Sequence, residues 1–448
     1  MNMKQHNKYD VLVIGSGIGG LCTAALLAKK GYRTLVVERL PLPGGRCSTI
    51  DYKGFKITTG LIGIPMAGVL GGILEEVGAH IDVRLLVDLP ARFVIDGQTI
   101  DPKSSGSLDS FRGLMMQVCR DEGELNRIFE AMNRADTWEA PSNEISLRDW
   151  LLQFTTNENV LSIFHDMGTK FLAASIQELS AREFFLCRRG LLRGFARVGM
   201  PPGGSIVLPE ALAEVVKQKG GDVWLGCPAK QILVDDGVVK GAIIEKPEGE
   251  VEIEASVVVS NAGPKQTVAL AGREKFPDPG YLSEVDNMKP SFQGWLTAVS
   301  DKPLSDDAFI ICYRGHGILT VNFATYLCPE LAPPGKHMML SLFGPDSQAG
   351  NWDLKAEVDA HVEAVKELIP NFDKDAEILH VGCYKGEWPL GRNTPFVGFK
   401  PLSQKTPIAN LYNVGDGVGP EGWSHVSEGC AMTARIVAED VQKRLKPG

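Results

Sequence analysis

Apolar and polar positions along the chain follow two periods, and each period marks a different element. Residues 9 to 38 open with the apolar run YDVLVIG and pass through GSGIGG into the helical stretch LCTAALLAKKG, which ends at Gly31; the strand RTLVVE follows. Strand, tight turn, helix and strand in that order make a βαβ unit. A second block, near 205 to 262, joins a helix from Leu208 to Gly220 to strands in DVWLGCPAKQILVDDGVVKGAIIEKPEGEVEIEASVVVSNA. Its turn signals Asp235-Asp236-Gly237 and Pro247-Glu248-Gly249 predict successive hairpins. In a third block the strand NLYNV runs into a glycine turn and then a helix from about Ser424 to Leu445.

Between these blocks lie two stretches of different character. Residues 86 to 199 hold one strand candidate, ARFVIDGQTI, and then mostly amphipathic helix. Residues 290 to 390 hold the strands FQGWLTAVS, AFIICYR, GILTVNFATY and HMMLSLFG, with a helix from Asp353 to Ile369. That helix carries Leu354, Val358, Val362, Val365 and Leu368 on one stripe, which is plain core packing. The two stretches read as one second domain assembled from two insertions.

The chain has 448 residues, 44% of them hydrophobic, so a sizeable core is available. The net charge of −9 lacks the cationic excess that phosphate neutralisation needs, which excludes nucleic acid as a partner. Nine cysteines lie far apart with no C-x-x-C and no Cys/His pair at zinc spacing, predicting reduced thiols and no metal. The polar start MNMKQHNKYD and the lack of any run of about 18 apolar residues predict a cytoplasmic protein without a signal peptide or membrane span.

Gly15-Ser16-Gly17-Ile18-Gly19-Gly20 fits G-x-G-x-x-G, follows a predicted strand, opens a helix, and is followed by Glu38 at the end of the next strand. Gly15 permits the tight turn, Gly17 lets a pyrophosphate approach the backbone, and Gly20 lets helix and strand pack. The helix N-terminus holds the phosphates, and Glu38, followed by Arg39, receives the ribose hydroxyls. Pro43-Gly44-Gly45-Arg46 extends this site, the arginine pairing with the pyrophosphate. Far downstream, Gly415-Asp416 follows NLYNV and precedes another helix, where a carboxylate suits the hydroxyls of a sugar chain. A ligand that needs both ends of the chain is long, which favours FAD over NAD.

At these residues the chain resembles the flavin-containing superfamily of phytoene desaturases, carotenoid isomerases and monoamine oxidases, and most closely its phytoene desaturase-like branch. The resemblance runs through VIGSGIGGLCTAALLAKKGYRTLVVERLPLPGGRCST, PPGGSIVLPEALAEVVKQKGGDVWLGCPAKQILVDDGVVKGAI and NLYNVGDGVGPEGWSHVSEGCAMTARIVAEDV. It implies an α/β fold with a Rossmann-type FAD-binding domain built from residues 1–85, 200–265 and 391–448. An inserted α+β substrate domain takes 86–199 and 266–390. It also implies that the main chain at Ala229 meets the adenine, that Gly60-Leu61 lies beside the flavin ring, and that Trp423 to Val426 line its far end.

Amine oxidases carry a cage-forming aromatic residue where this chain has Val426, which points away from a cationic amine. The reading that follows is an FAD-dependent oxidoreductase moving hydride between flavin N5 and an apolar, isoprenoid-like substrate, by desaturation, saturation or isomerisation of C=C bonds. Two rivals stand beside it: an amine or amino-acid oxidase, and a non-catalytic prenyl-protein carrier of GDP-dissociation-inhibitor type. No second G-x-G-x-x-G accompanies the first, so quinone, oxygen and NAD(P) are all open as electron partners. Glu421 and His425 flank Trp423 as candidate acid and base, with Lys385 and Glu387 beside Trp388 next in line. Over residues 182–199 a helical wheel sets Arg182, Arg189, Arg193 and Arg197 against Phe184, Leu191, Phe195 and Val198, a pattern that can lie on an anionic membrane.

Overall fold

The computed structural model describes residues 7–86, 89–101, 110–137, 140–194, 197–313, 319–345, 347–348, 352–384, 392–393, 396–398, 400–419 and 426–448. Two seven-stranded sheets organise it. In the first, the order is Asp222–Trp224, Thr34–Val37, Lys8–Ile14, Gly249–Ser260, Val238–Lys246 and Ala229–Asp235, and Leu411–Asn413 also pairs with Gly249–Ser260. The strands nearest the glycine turn run parallel, with Val11 opposite both Thr34 and Val257.

Parallel strands covered on both faces read as nearly continuous apolar runs, and Thr34–Val37 is buried throughout. Alternate residues serve opposite cores: Val11, Val13 and Val36 pack with the helices Ile18–Lys29, Val207–Gln218 and Val426–Arg444, while Leu12, Ile14, Leu35 and Val37 pack on the other side. The predicted hairpins form at Asp236-Gly237 and before Gly249; Asp236 and Gly237 both have positive φ, 47° and 71°.

The second sheet runs Ala376–Tyr384, Gln293–Ser300, His337–Phe343, Leu319–Asn322, Phe309–Tyr313, Ala91–Ile95, Gln98–Ile100. One face lies under the helix Leu354–Leu368, whose Val365 is fully buried against Leu296, Ala298 and Met339. Ser110–Val118, Glu122–Thr137, Leu147–Leu151, Glu158–Met167 and Ala181–Gly194 form a helical cluster around Phe164, Phe184 and Phe185.

Several expectations are corrected here. ARFVIDGQTI is two strands, folded back at Asp96-Gly97, where positive φ at both residues suits a tight hairpin. GILTVNFATY is a strand only to Asn322, and Ala324–Leu327 is a helical turn. The strand Ala376–Tyr384 was not anticipated, because it lies at the sheet edge and is mostly half-exposed, which blurs its alternation. Residues placed in the substrate domain, Val268, Ala271, Tyr281 and Val285, pack instead on the first sheet.

The 182–199 wheel also breaks. The helix ends at Gly194, and Val198 sits in the strand Val198–Met200, so Val198 belongs to no helical face. Phe184 and Phe185 are consecutive and both buried in the helical cluster, and Arg188 pairs with Asp136. Phe195 lies outside the described residues.

Candidate functional site

The first glycine turn follows directly from its sequence. Gly15 adopts φ 96° at the end of Lys8–Ile14, and its N–H donates to the Val37 carbonyl at 2.8 Å. A Cβ on Gly20 would stand 2.2 Å from the Gly15 carbonyl oxygen, so close packing of helix on strand requires glycine there. Gly17 is the N-cap of Ile18–Lys29, and no side chain caps that helix. Its first N–H groups are therefore available to an anion.

Glu38 is buried, and its carboxylate turns back to this loop. One oxygen accepts from the Ser16 N–H at 2.8 Å and hydroxyl at 2.7 Å; the other accepts from the Leu40 N–H at 2.9 Å. The Gly44 N–H donates to the Ser16 carbonyl at 3.0 Å, tying the second motif to the first. Gly45 has φ 56°, and no atom lies within 4 Å of where its Cβ would be, so this backbone presents an open face. Beyond it Arg46 Nη1 reaches Asp416 Oδ2 at 3.0 Å, with the carboxylate side chain only 4% exposed.

Glu38, Ser16, Gly44, Arg46 and Asp416 thus form one run of contacts between the two ends of the chain. The middle segment joins at Cys227, whose N–H donates to the Glu38 carbonyl at 2.7 Å, two residues before half-buried Ala229. Gly19 lies against Gly415: a Cβ there would stand 2.9 Å from the Gly415 nitrogen. Gly60-Leu61 is drawn to the same place, since the Leu61 N–H donates to the Arg46 carbonyl at 2.9 Å and the Thr58 hydroxyl to the Leu61 carbonyl at 2.8 Å. Arg39 lies exposed at the rim. Glu421, Trp423 and His425, and Lys385, Glu387 and Trp388, lie outside the described residues; Val426 begins the last helix, and its side chain lies outside them too.

Three residues not foreseen stand in this site. Asn261 wedges between the glycine turns: its N–H donates to the Ile14 carbonyl at 2.7 Å and its Nδ2 to the Val414 carbonyl at 2.8 Å. A Cβ on Gly17 would stand 2.4 Å from its Oδ1. The signal was a lone amide at the carboxyl end of an apolar strand, where open α/β sheets bind ligands. Glu428 is buried and accepts from the Val69 N–H at 2.7 Å and the Leu70 N–H at 3.2 Å, capping the helix Gly68–Val77; burial raises its pKa. Tyr384 lays its ring 5.7 Å from the Arg46 guanidinium carbon, and burial drives its phenol pKa far upward. No local pattern marks either of the last two.

Next to Gly60-Leu61 a small cavity of about 30 Å³ lies between the second sheet and the hairpin of Thr49–Tyr52 and Phe55–Thr58. Ile57, Ile62, Met200, Leu331, Met338 and Leu340 make its wall mainly apolar, and Ser205, also on the wall, donates its hydroxyl to the Leu61 carbonyl. Lys56 is the charged residue in that wall among the described residues.

An uncapped glycine helix, a buried carboxylate one turn away, an open Gly45 and a distant Arg–Asp pair define a dinucleotide-binding oxidoreductase of the flavin class. The family model described as flavin containing amine oxidoreductase matches residues 18–442, and the chain belongs to that family. FAD is its cofactor, and the carrier reading falls with that. Among relatives, the all-trans-retinol 13,14-reductase of Macaca fascicularis is 28% identical over 98% of this chain and 87% of its own. The zeta-carotene-forming phytoene desaturase of Myxococcus xanthus is 25% identical over 92% and 90%. A crystal structure of an oxidoreductase from Methanosarcina mazei superposes with a TM-score of 0.81 at 28% identity, covering 96% of this chain and all of that one. Among the described residues no helix is long and apolar enough to cross a membrane.

Proposed function

We propose that this oxidoreductase acts on carbon–carbon bonds of an apolar, isoprenoid-like small molecule. The apolar lining beside Gly60-Leu61 carries the reading: the aliphatic and Met side chains around this small cavity offer a cationic amine no counter-charge, and Lys56 repels one. Relatives named for retinol and phytoene chemistry are in keeping with it. Val426, where amine oxidases place a cage aromatic, points the same way.

In this reading the residues that hold FAD follow the run of contacts. The free N–H groups after Gly17 and the guanidinium of Arg46 bind the pyrophosphate, and Glu38 takes the ribose in exchange for part of its hold on Ser16. Main chain at Ala229 borders the adenine, Asp416 orients the sugar-chain hydroxyls, and Gly60-Leu61 borders the ring. When bound, the flavin supplies two-electron redox chemistry. The protein's share is to exclude water, hold the substrate carbon over the ring and keep the Arg46–Asp416 pair in place. Glu421 and His425 are the proposed acid and base.

The test is anaerobic bleaching of the flavin band near roughly 450 nm by panels of isoprenoid lipids, amines and reduced nicotinamides. Bleaching or reoxidation by an isoprenoid supports the proposal. Bleaching by amines alone overturns it.

A further inference from the structure

The sheet face that looks into the cavity carries polar atoms with no protein partner. Trp295 Nε1, Thr297 Oγ1, Thr320 Oγ1 and His380 Nδ1 are all buried without a hydrogen bond to the protein. They are neighbours by register: Thr297 lies opposite His380, and Trp295 and Thr320 flank Leu342 from either side. Trp295 and Thr297 are the most deeply buried, at 5% and 0% exposure, and Thr297 itself lines the cavity. Gly382 shows why the two rings can meet. A Cβ there would stand 2.4 Å from Trp295 Cε2, the carbon bonded to Nε1, and 2.8 Å from His380 Cε1, the carbon bonded to Nδ1.

From this juxtaposition, and resting on the proposed function, we propose that the substrate is not a bare hydrocarbon but carries a neutral oxygen, a hydroxyl or carbonyl, received by Trp295, Thr297 and His380. Desolvated polar atoms without partners are costly, and a fold that needed only to pack a polyene would place apolar residues there. The groups suit a neutral oxygen. The indole donates, the hydroxyl donates or accepts, and burial keeps the imidazole neutral with one nitrogen of each kind. No charge in this cluster balances an ammonium.

The experiment titrates the flavin-loaded protein with farnesol, farnesal and farnesene, reading perturbation of the flavin spectrum. The expected result is farnesol or farnesal binding at least about tenfold tighter than farnesene, the size of one to two good hydrogen bonds. In Trp295→Phe/Thr297→Val that ratio collapses toward one. Equal affinity of the three ligands for the unaltered protein overturns the proposal while sparing the isoprenoid reading, and means that the cluster holds only water. A ratio that persists in the double variant overturns the assignment to these residues. Binding of none of the three, with amines perturbing the spectrum instead, overturns both readings. The unaltered protein tests the ligand class by itself, so a variant that fails to fold does not shelter the proposal, and His380→Phe then supplies the second variant.

Discussion

The two faces of the second sheet share the same strands and treat polar groups in opposite ways. Beneath the helix Leu354–Leu368, Leu296, Ala298, Val321 and Met339 interlock with Val365 and Ile369, and the polar pair there, Ser341 and His361, satisfies itself through one hydrogen bond. On the reverse, one residue along in each strand, Trp295, Thr297, Thr320 and His380 keep buried polar atoms without protein partners. The strand period of two is what allows this. A single strand can put a finished core on one side and an unfinished surface on the other, and the unfinished one faces the cavity. Buried polar groups are normally paired, so a cluster of unpaired ones on a single face calls for an explanation, which the proposed substrate oxygen supplies.

The largest expected break is on the closed face. Leu296→Ala removes a fully buried side chain from a packed layer, and the cavity left behind should cost about 3 to 4 kcal/mol of unfolding free energy. Denaturant unfolding measures it, with flavin content unchanged in the folded protein. A loss under about 1 kcal/mol would show that this face is as loosely finished as the other.

Next in size is a pH effect from His361. Burial lowers its pKa from 6.5 to about 4. The unfolded chain takes up a proton near 6.5 and the folded chain only near 4, so stability is complete above 6.5 and is lost as pH falls between those values. At about 1.4 kcal/mol per pH unit the loss approaches about 3 kcal/mol. Unfolding midpoints measured from pH 7 to 4 should show it, and His361→Leu should flatten this part of the profile. A profile unchanged in His361→Leu would mean that the pair is open to water.

Legibility in the sequence follows the same division. The glycine turn and the return of Glu38 to it were readable because a tight turn packed against a helix leaves glycines at fixed offsets, and these survive in one dimension, whereas the ion pair between Arg46 and Asp416 was not foreseen. Asn261 left a fainter trace, an amide following Ser260 at the end of the apolar run Val257-Val258-Val259. The open face left none. Trp295 and Thr297 look like ordinary strand residues, and His380 and Tyr384 belong to an edge strand whose alternation is too weak to predict. What makes them a cluster is register between Gln293–Ser300 and Ala376–Tyr384, almost ninety positions apart, and pairing at that distance depends on the whole insertion folding. The helix boundary at Gly194 was missed for a related reason, since a wheel drawn through 199 cannot see that Val198 is claimed by Pro65 across a strand pair.

The smallest expected effect discriminates most sharply. Ser341→Ala and Thr297→Val each remove one buried hydroxyl from the same sheet, on opposite faces. Ser341 is the partner of His361 Nε2, so its loss leaves a buried nitrogen unsatisfied and should cost about 1 to 2 kcal/mol. Thr297→Val keeps the shape and removes a hydroxyl that no protein atom engages, so stability should change by no more than about 0.5 kcal/mol, in either direction. Paired denaturation curves of the two variants, read without added ligand, give the difference directly. If Thr297→Val costs as much as Ser341→Ala, its hydroxyl is already serving the fold and the two faces are alike. If it is silent in the ligand-free protein, the hydroxyl is held in reserve, and the contrast between the faces rests on chemistry rather than on packing.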